Sequence, residues 1–160
     1  MISSQTKTDR PTVRTILHPT DFSERSAFAL RFAGALAKEE GSRLVLLHVL
    51  APAVIYDEMG PVIVPFRQGE EQAARTKLEG IAMPGVQVEY RMEVGDAAQV
   101  ILDVTTETKC DLVVMGTHGR TGLGRLLLGS VAEEVMRKAP CPVLTVKMPF
   151  LPNSQEKSSK

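Results

Sequence analysis

In the stretch VVMGTHGRTGLGRLLLGSVAEEV (Val113–Val135) an apolar run gives way to glycines at 116, 119, 122, 124 and 129, then to a helix-like segment. Glycine lets a backbone turn tightly and approach a ligand with no Cβ in the way, at an entropic cost inside regular structure. Gly129 and Ser130 open the helix, and a helix N-terminus offers unpaired N–H groups and a partial positive charge to an anion. The dipole alone stabilises an exposed charge there by about 0.3–1 kcal/mol, so useful affinity needs several directed N–H bonds as well. Arg120 and Arg125 in the same loop add positive charge. The chemistry this points to is phosphate binding. Two plainer readings compete. Ser130 with Glu133 forms a capping box, so Ser130 can be simply an N-cap, and Gly122 and Gly124 can do no more than loosen the loop. The familiar fingerprints are absent: neither G-x-x-x-x-G-K-[ST] nor G-x-G-x-x-G occurs in the loop, which follows a late strand rather than the first.

Other reactive side chains are few. His18 and His48 end two strands and His118 sits in the glycine loop; their spacing matches no ligand motif, so no metal site is expected. Cys110 and Cys141 each precede an apolar run. Two cysteines are too few for a disulfide scaffold and fit a reducing compartment, with the cytoplasm as the default location. They read as buried or half-buried free thiols, and bridging on oxidation requires that their strands be neighbours. Asp21 closes the first strand and, with Glu24, forms a capping box for the first helix, so pocket and cap compete for it.

The elements that position these residues alternate. With 160 residues the chain is one domain in size. Its 19 basic and 19 acidic residues cancel, which argues against a nucleic-acid partner. No apolar run is long enough for a membrane span, and MISSQTKTDRPTV lacks a signal-peptide core. Strands are expected at 14–20, 43–50, 86–95, 111–116 and 142–147, and helices at 23–41, around 67–82, at 96–109 and at 130–139. Phe28, Phe32 and Leu36 share one face of the first helix, Asp96 and Gln99 form a capping box, and Pro140 stops the last helix. RLVLLHVL (Arg43–Leu50) is almost wholly apolar, as suits a strand covered on both faces. Strand–helix alternation means right-handed βαβ units, hence an α/β protein with a five-stranded parallel sheet and helices on both faces. One segment breaks the rhythm: APAVIYDEMGPVIVPF (Ala51–Phe66), read as a long apolar loop, is either a lid or partner surface or packs on its own domain.

The spacing Gly116-x2-Gly119-x9-Gly129-Ser130 resembles the nucleotide-binding signature of the universal stress protein family. PTDFSE (Pro19–Glu24) resembles that family's opening motif, LLHV (Leu46–Val49) the end of its second strand and APCPVLTV (Ala139–Val146) its last strand. The resemblance spans roughly residues 12–147, leaving 1–11 and 148–160 as flexible ends. It implies strand order 3-2-1-4-5 in a Rossmann-like sheet of the adenine nucleotide alpha hydrolase type, with PTDFSE and MGTHG flanking one crevice where strand order reverses. Family members carrying the full glycine signature bind ATP. Carried over by position, Val49 offers backbone groups to adenine; Pro19, Thr20 and Asp21 line the pocket near base and ribose, with Met115 and Gly116 across from them. Gly119, Gly129, Ser130 and Val131 hold the phosphates through backbone N–H groups and the Ser130 hydroxyl, and Mg²⁺ screens them. The resemblance also implies a homodimer that pairs the Val143–Val146 edge strand with its copy.

These readings favour an ATP-binding regulatory protein of the stress response with little or no turnover, because no Glu or Gln in the glycine loop can activate water. A slow Mg²⁺-dependent ATPase is the enzyme alternative, and a nucleotide-independent dimeric interaction module the other. A phosphoacceptor receiver domain fits poorly: Thr20 stands where an acidic pair is required, and Asp96 reads as a helix cap. A flavin module lacks a glycine in HPTDFSERS to wrap its phosphate.

Overall fold

The structure, a computed structural model, describes residues 12–64, 66, 68–117 and 128–149. Eleven elements follow in the order β1 (Thr15–Thr20), α1 (Glu24–Glu40), β2 (Arg43–Leu50), β3 (Ala53–Asp57), β4 (Gly60–Val64), α2 (Glu70–Glu79), β5 (Gln87–Val94), α3 (Ala97–Glu107), β6 (Leu112–Gly116), α4 (Ser130–Lys138) and β7 (Val143–Val146). Five of the strands form one parallel sheet in the order β5-β2-β1-β6-β7. Counted along the sheet strands alone this is 3-2-1-4-5.

Apolar runs become central strands because both of their faces find cover. Along β1 and β2 successive side chains alternate between two cores. Leu17, Val45, Leu47 and Val113 pack against α3 and α4 through Ile101, Val104 and Val135. Ile16, Leu44, Leu46 and Val114 pack on the other face against Ala29, Leu30 and Ala33 of α1 and Leu78 of α2. Asp111 registers the sheet from outside: its Oδ2 accepts from the N–H groups of Arg14 (2.8 Å) and Thr15 (2.9 Å), tying the start of β1 to the start of β6.

Three local expectations are corrected. The face that α1 buries is the small-residue stripe Ala29, Ala33, Gly34 and Ala37 with Leu30; Phe32 is half exposed, and Phe28 and Leu36 lie at the margin. Small side chains let the helix lie close on the sheet, and the phenylalanines pack on each other at its border with centroids 5.3 Å apart. Second, Ala51–Phe66 is not a loop. It contains an antiparallel hairpin, Ala53–Asp57 against Gly60–Val64, turned at Glu58 and Met59. Asp57 Oδ1 accepts from the Met59 N–H at 2.7 Å, and Gly60 takes φ +120°, a value open to glycine. Its apolar side chains stay in solvent, with Tyr56 81% and Ile63 68% exposed. The third concerns α3. Asp96 caps Gln99 N–H at 3.0 Å, but the Gln99 amide bonds Asp103 instead of reaching back, so half of the capping box forms.

Candidate functional site

Strand order reverses between β1 and β6, and an open parallel sheet leaves a crevice beyond the carboxyl ends at such a point. A cavity of about 400 Å³ opens there, within the range of small-molecule sites. Pro19, Thr20 and Asp21 from the end of β1 line one side, Met115 and Gly116 from the end of β6 another, and Val49 the wall toward β2. Gly129, Ser130 and Val131 line it from the start of α4. Gly119, together with His118, Arg120 and Arg125, lies outside the described residues, as do residues 1–11 and 150–160.

The turn leaving β1 is built by short contacts. Phe22 has φ +62°, a left-handed conformation that costs a non-glycine residue about 1 kcal/mol or more. Its N–H donates to Thr20 Oγ1 at 3.1 Å, its ring lies 4.2 Å from that of His48, and Lys77 Nζ sits 4.6 Å above its centroid. The turn presents Ser23, not Asp21, as the cap of α1: Ser23 Oγ accepts from Ser26 N–H at 3.1 Å. Asp21 stands one step behind, its Oδ1 accepting from Ser23 N–H (3.0 Å) and Ser23 Oγ–H (2.6 Å). The competition between pocket and cap therefore resolves into pocket rim plus cap support.

Beneath the rim lies a buried polar cluster. His18 Nδ1–H donates to the Val114 carbonyl at 2.7 Å, which leaves Nε2 as an acceptor. Ser26 Oγ lies 3.3 Å from that Nε2 and 3.0 Å from Thr20 Oγ1, so one hydroxyl links histidine and threonine. Complete burial lowers the His18 pKa from 6.5 to about 4, although the bond to Val114 and the charge of Asp21 act the other way. His18 is therefore neutral at pH 7. His48 Nδ1 engages the Thr20 carbonyl at 2.8 Å. Both rings hold up the turn that carries Pro19, Thr20 and Asp21.

On the far side Gly129, rather than Ser130, is the N-cap of α4, and no side-chain cap bond is made. The reading of Ser130 as a mere cap is thereby corrected: it is the first helical residue, and its hydroxyl is not spent on capping Glu133. The Gly129 N–H donates to the Thr117 carbonyl at 2.7 Å, joining the end of β6 to the start of α4. Ser130, Val131 and Ala132 then present first-turn N–H groups, which have no partner inside the helix. Among the described residues lining the cavity, no lysine or arginine occurs and Asp21 is the sole carboxylate.

Several lining residues escaped the sequence reading: Leu47 and Ala51 by the end of β2, Ser26 in α1, Ala97 and Ile101 in α3, Thr117 and Ala132. Signals existed for two of them. Ser26 falls in the first turn of the helix after PTDF, and Ala97 follows the strand ending at Val94 with a side chain too small to fill the crevice.

Fold and crevice define a doubly wound parallel α/β protein with an open cavity at its topological switch point. A sequence model described as the universal stress protein family matches residues 12–147. Universal stress protein MJ0531 of Methanocaldococcus jannaschii is 40% identical over 139 residues, covering 84% of this chain and 82% of the relative. The solved structure of MJ0577, a universal stress protein from the same organism, superposes with a TM-score of 0.69 at 29% identity, covering 87% of this chain and 99% of that one. A universal stress protein solved in complex with cAMP superposes with a TM-score of 0.65 at 23% identity, covering 86% and 98%. The chain belongs to the universal stress protein family.

Proposed function

We propose that the chain binds an adenine nucleotide in the β1–β6 crevice, preferring ATP with Mg²⁺ on its phosphates, and acts as a cytoplasmic regulatory dimer in the stress response. The observation that carries this reading is the N-terminus of α4 opening onto a cavity of about 400 Å³ with its first-turn N–H groups and the Ser130 hydroxyl uncommitted to capping. Gly129 contributes by close approach, since its own N–H is engaged by Thr117. Val49 and Met115 offer the base an apolar slot, and Pro19, Thr20 and Asp21 face the ribose. With no cationic side chain among the described lining, charge at the phosphates has to come from the helix dipole, the loop arginines and a divalent ion held chiefly by the phosphate oxygens. The relative solved with cAMP supports the choice of an adenine nucleotide. Rapid hydrolysis is disfavoured, because Asp21 is the sole carboxylate among the described lining residues and its Oδ1 is held by Ser23.

The test is to denature purified protein, identify any nucleotide released, and titrate ATP, ADP and AMP with Mg²⁺ by calorimetry. Micromolar ATP binding, about −8 kcal/mol, is the expected result. Absence of binding by a folded protein overturns the reading. It leaves the exposed hairpin bearing Ile55, Tyr56 and Ile63 as the functional surface of a nucleotide-independent interaction module.

The dimer is assigned to β7. This strand ends the sheet, and Leu144 on it is 42% exposed. An apolar edge with unpaired backbone groups invites a second strand. Leu144→Arg is expected to shift the protein from dimer to monomer in sedimentation velocity while its far-ultraviolet dichroism stays unchanged. A variant that sediments as the parent does removes the edge from consideration.

A further inference from the structure

The sequence tied a bridge between Cys110 and Cys141 to one condition, that their strands be neighbours. They are. β6 and β7 pair in parallel with Val113 opposite Val143, and the Val113 N–H donates to the Pro142 carbonyl at 3.0 Å. Both side chains enter the same core layer, under α3 and α4: Cys110 is buried among Leu17, Val104 and Val113, and Cys141 packs against that cluster. Both cysteines are free, and they belong to one core cluster. Cys110 Sγ–H donates to the Leu112 carbonyl at 3.0 Å, with the Thr15 carbonyl of β1 at 3.6 Å. Cys110 is buried and Cys141 half-buried, so one sulfur is within reach of solvent and the other waits behind it.

We propose that Cys110 and Cys141 form a redox-modification site, in which a peroxide converts the pair to an intramolecular disulfide that staples β7 to β6. The more exposed Cys141 thiolate attacks one oxygen of hydrogen peroxide; the O–O bond breaks, hydroxide leaves and a sulfenic acid remains. The Cys110 sulfur then attacks the Cys141 sulfur. The S–S bond forms, the S–O bond breaks, and the hydroxyl leaves as water with the Cys110 proton. Two electrons pass from the thiols to the peroxide. The closed loop runs from Cys110 to Cys141 and holds β6, the glycine loop and α4, so it contains Met115, Gly116, Gly129, Ser130 and Val131. Oxidation thus restrains the edge strand of the sheet and every element on the α4 side of the crevice. Burial pushes the Cys110 thiol up to about 12 and raises Cys141 as well, with Asp111 nearby acting in the same sense. The site accordingly answers sustained oxidant rather than a brief pulse.

The inference stands apart from nucleotide binding and is tested without it. Full-length protein is incubated with excess hydrogen peroxide for hours, then examined by intact mass, by iodoacetamide labelling and by thermal melting with and without dithiothreitol. Expected are a mass loss of about 2 Da with both thiols lost together. Tm is expected to rise by about 10 °C and to return with the reductant. Cys141→Ser abolishes the rise and leaves Cys110 labelled; Cys110→Ala leaves Cys141 to end as a sulfinic acid. Parent protein that gains oxygen at Cys141 while Cys110 still labels, or that links two chains, overturns the proposal.

Discussion

Replacing Gly129 and Ser130 together by valine is expected to weaken ATP binding at least about 100-fold. Two losses combine. The hydroxyl of Ser130, free of capping duty, no longer meets a charged phosphate, and a hydrogen bond to a charged group contributes about 1.5–3 kcal/mol. The valine side chain at 129 also fills space through which a phosphate approaches the first turn of α4. The fold survives the change. Gly129 sits at φ −75° and ψ 154°, an extended conformation that valine adopts without strain, and its N–H to Thr117 carbonyl bond is a backbone contact that the substitution keeps. The poorer N-cap costs about 1 kcal/mol, and a melt run beside the calorimetry separates that from the loss of affinity. Binding by the variant within about threefold of the parent would mean that the phosphates do not rest on α4.

The second large effect is on stability and follows from His18. Its pKa is about 4 in the folded chain and 6.5 in an unfolded one. The unfolded state therefore binds more protons between those values, and stability rises with pH across that window. The contribution of neutral His18 is complete above pH 6.5 and is lost progressively as pH falls toward 4. Between pH 7.5 and pH 5 the loss is about 2 kcal/mol. The structural cause is plain. A second proton can go only to Nε2, the acceptor beside Ser26, and the charge it brings is sealed from water. Urea midpoints at pH 7.5, 6.5, 5.5 and 5 measure the slope, and His18→Gln, which does not titrate, is expected to flatten most of it. An equal slope in that variant assigns the acid sensitivity to other groups. The measurement bears on function as well, because Thr20 and Ser26 line the cavity and bond directly to this cluster.

Much of this protein was legible along the chain. Arg43–Leu50 is so continuously apolar that only cover on both faces can accommodate it, and β2 lies inside the sheet with α1 and α2 on one side and α3 and α4 on the other. Strand–helix alternation fixed the parallel sheet, and the glycine spacing with PTDFSE pointed to the two strand ends that border the crevice. These features are local: a period, a breaker, a short motif, each set by the conformational preferences of neighbouring residues. The apolar insert was visible too, but its hairpin was not. Its alternation is obscured by prolines, and its pairing depends on a turn at Glu58–Met59 that carries no strong signal.

What tertiary structure alone decided concerns partners distant in sequence. Asp21, Ser23 and Ser130 all carry oxygens suited to a cap, and composition cannot rank them. The left-handed turn at Phe22 selects Ser23, and the Gly129–Thr117 bond moves the start of α4 back by one residue, releasing Ser130 toward the cavity. Ala97 and Ile101 enter the site because α3 packs against β2 and α4, and Cys110 shares a core layer with Cys141 because β7 lies beside β6 in the sheet. Sequence pattern fixes which face of an element is apolar. Which elements then meet is settled by strand order and crossover, through packing between residues far apart in the chain.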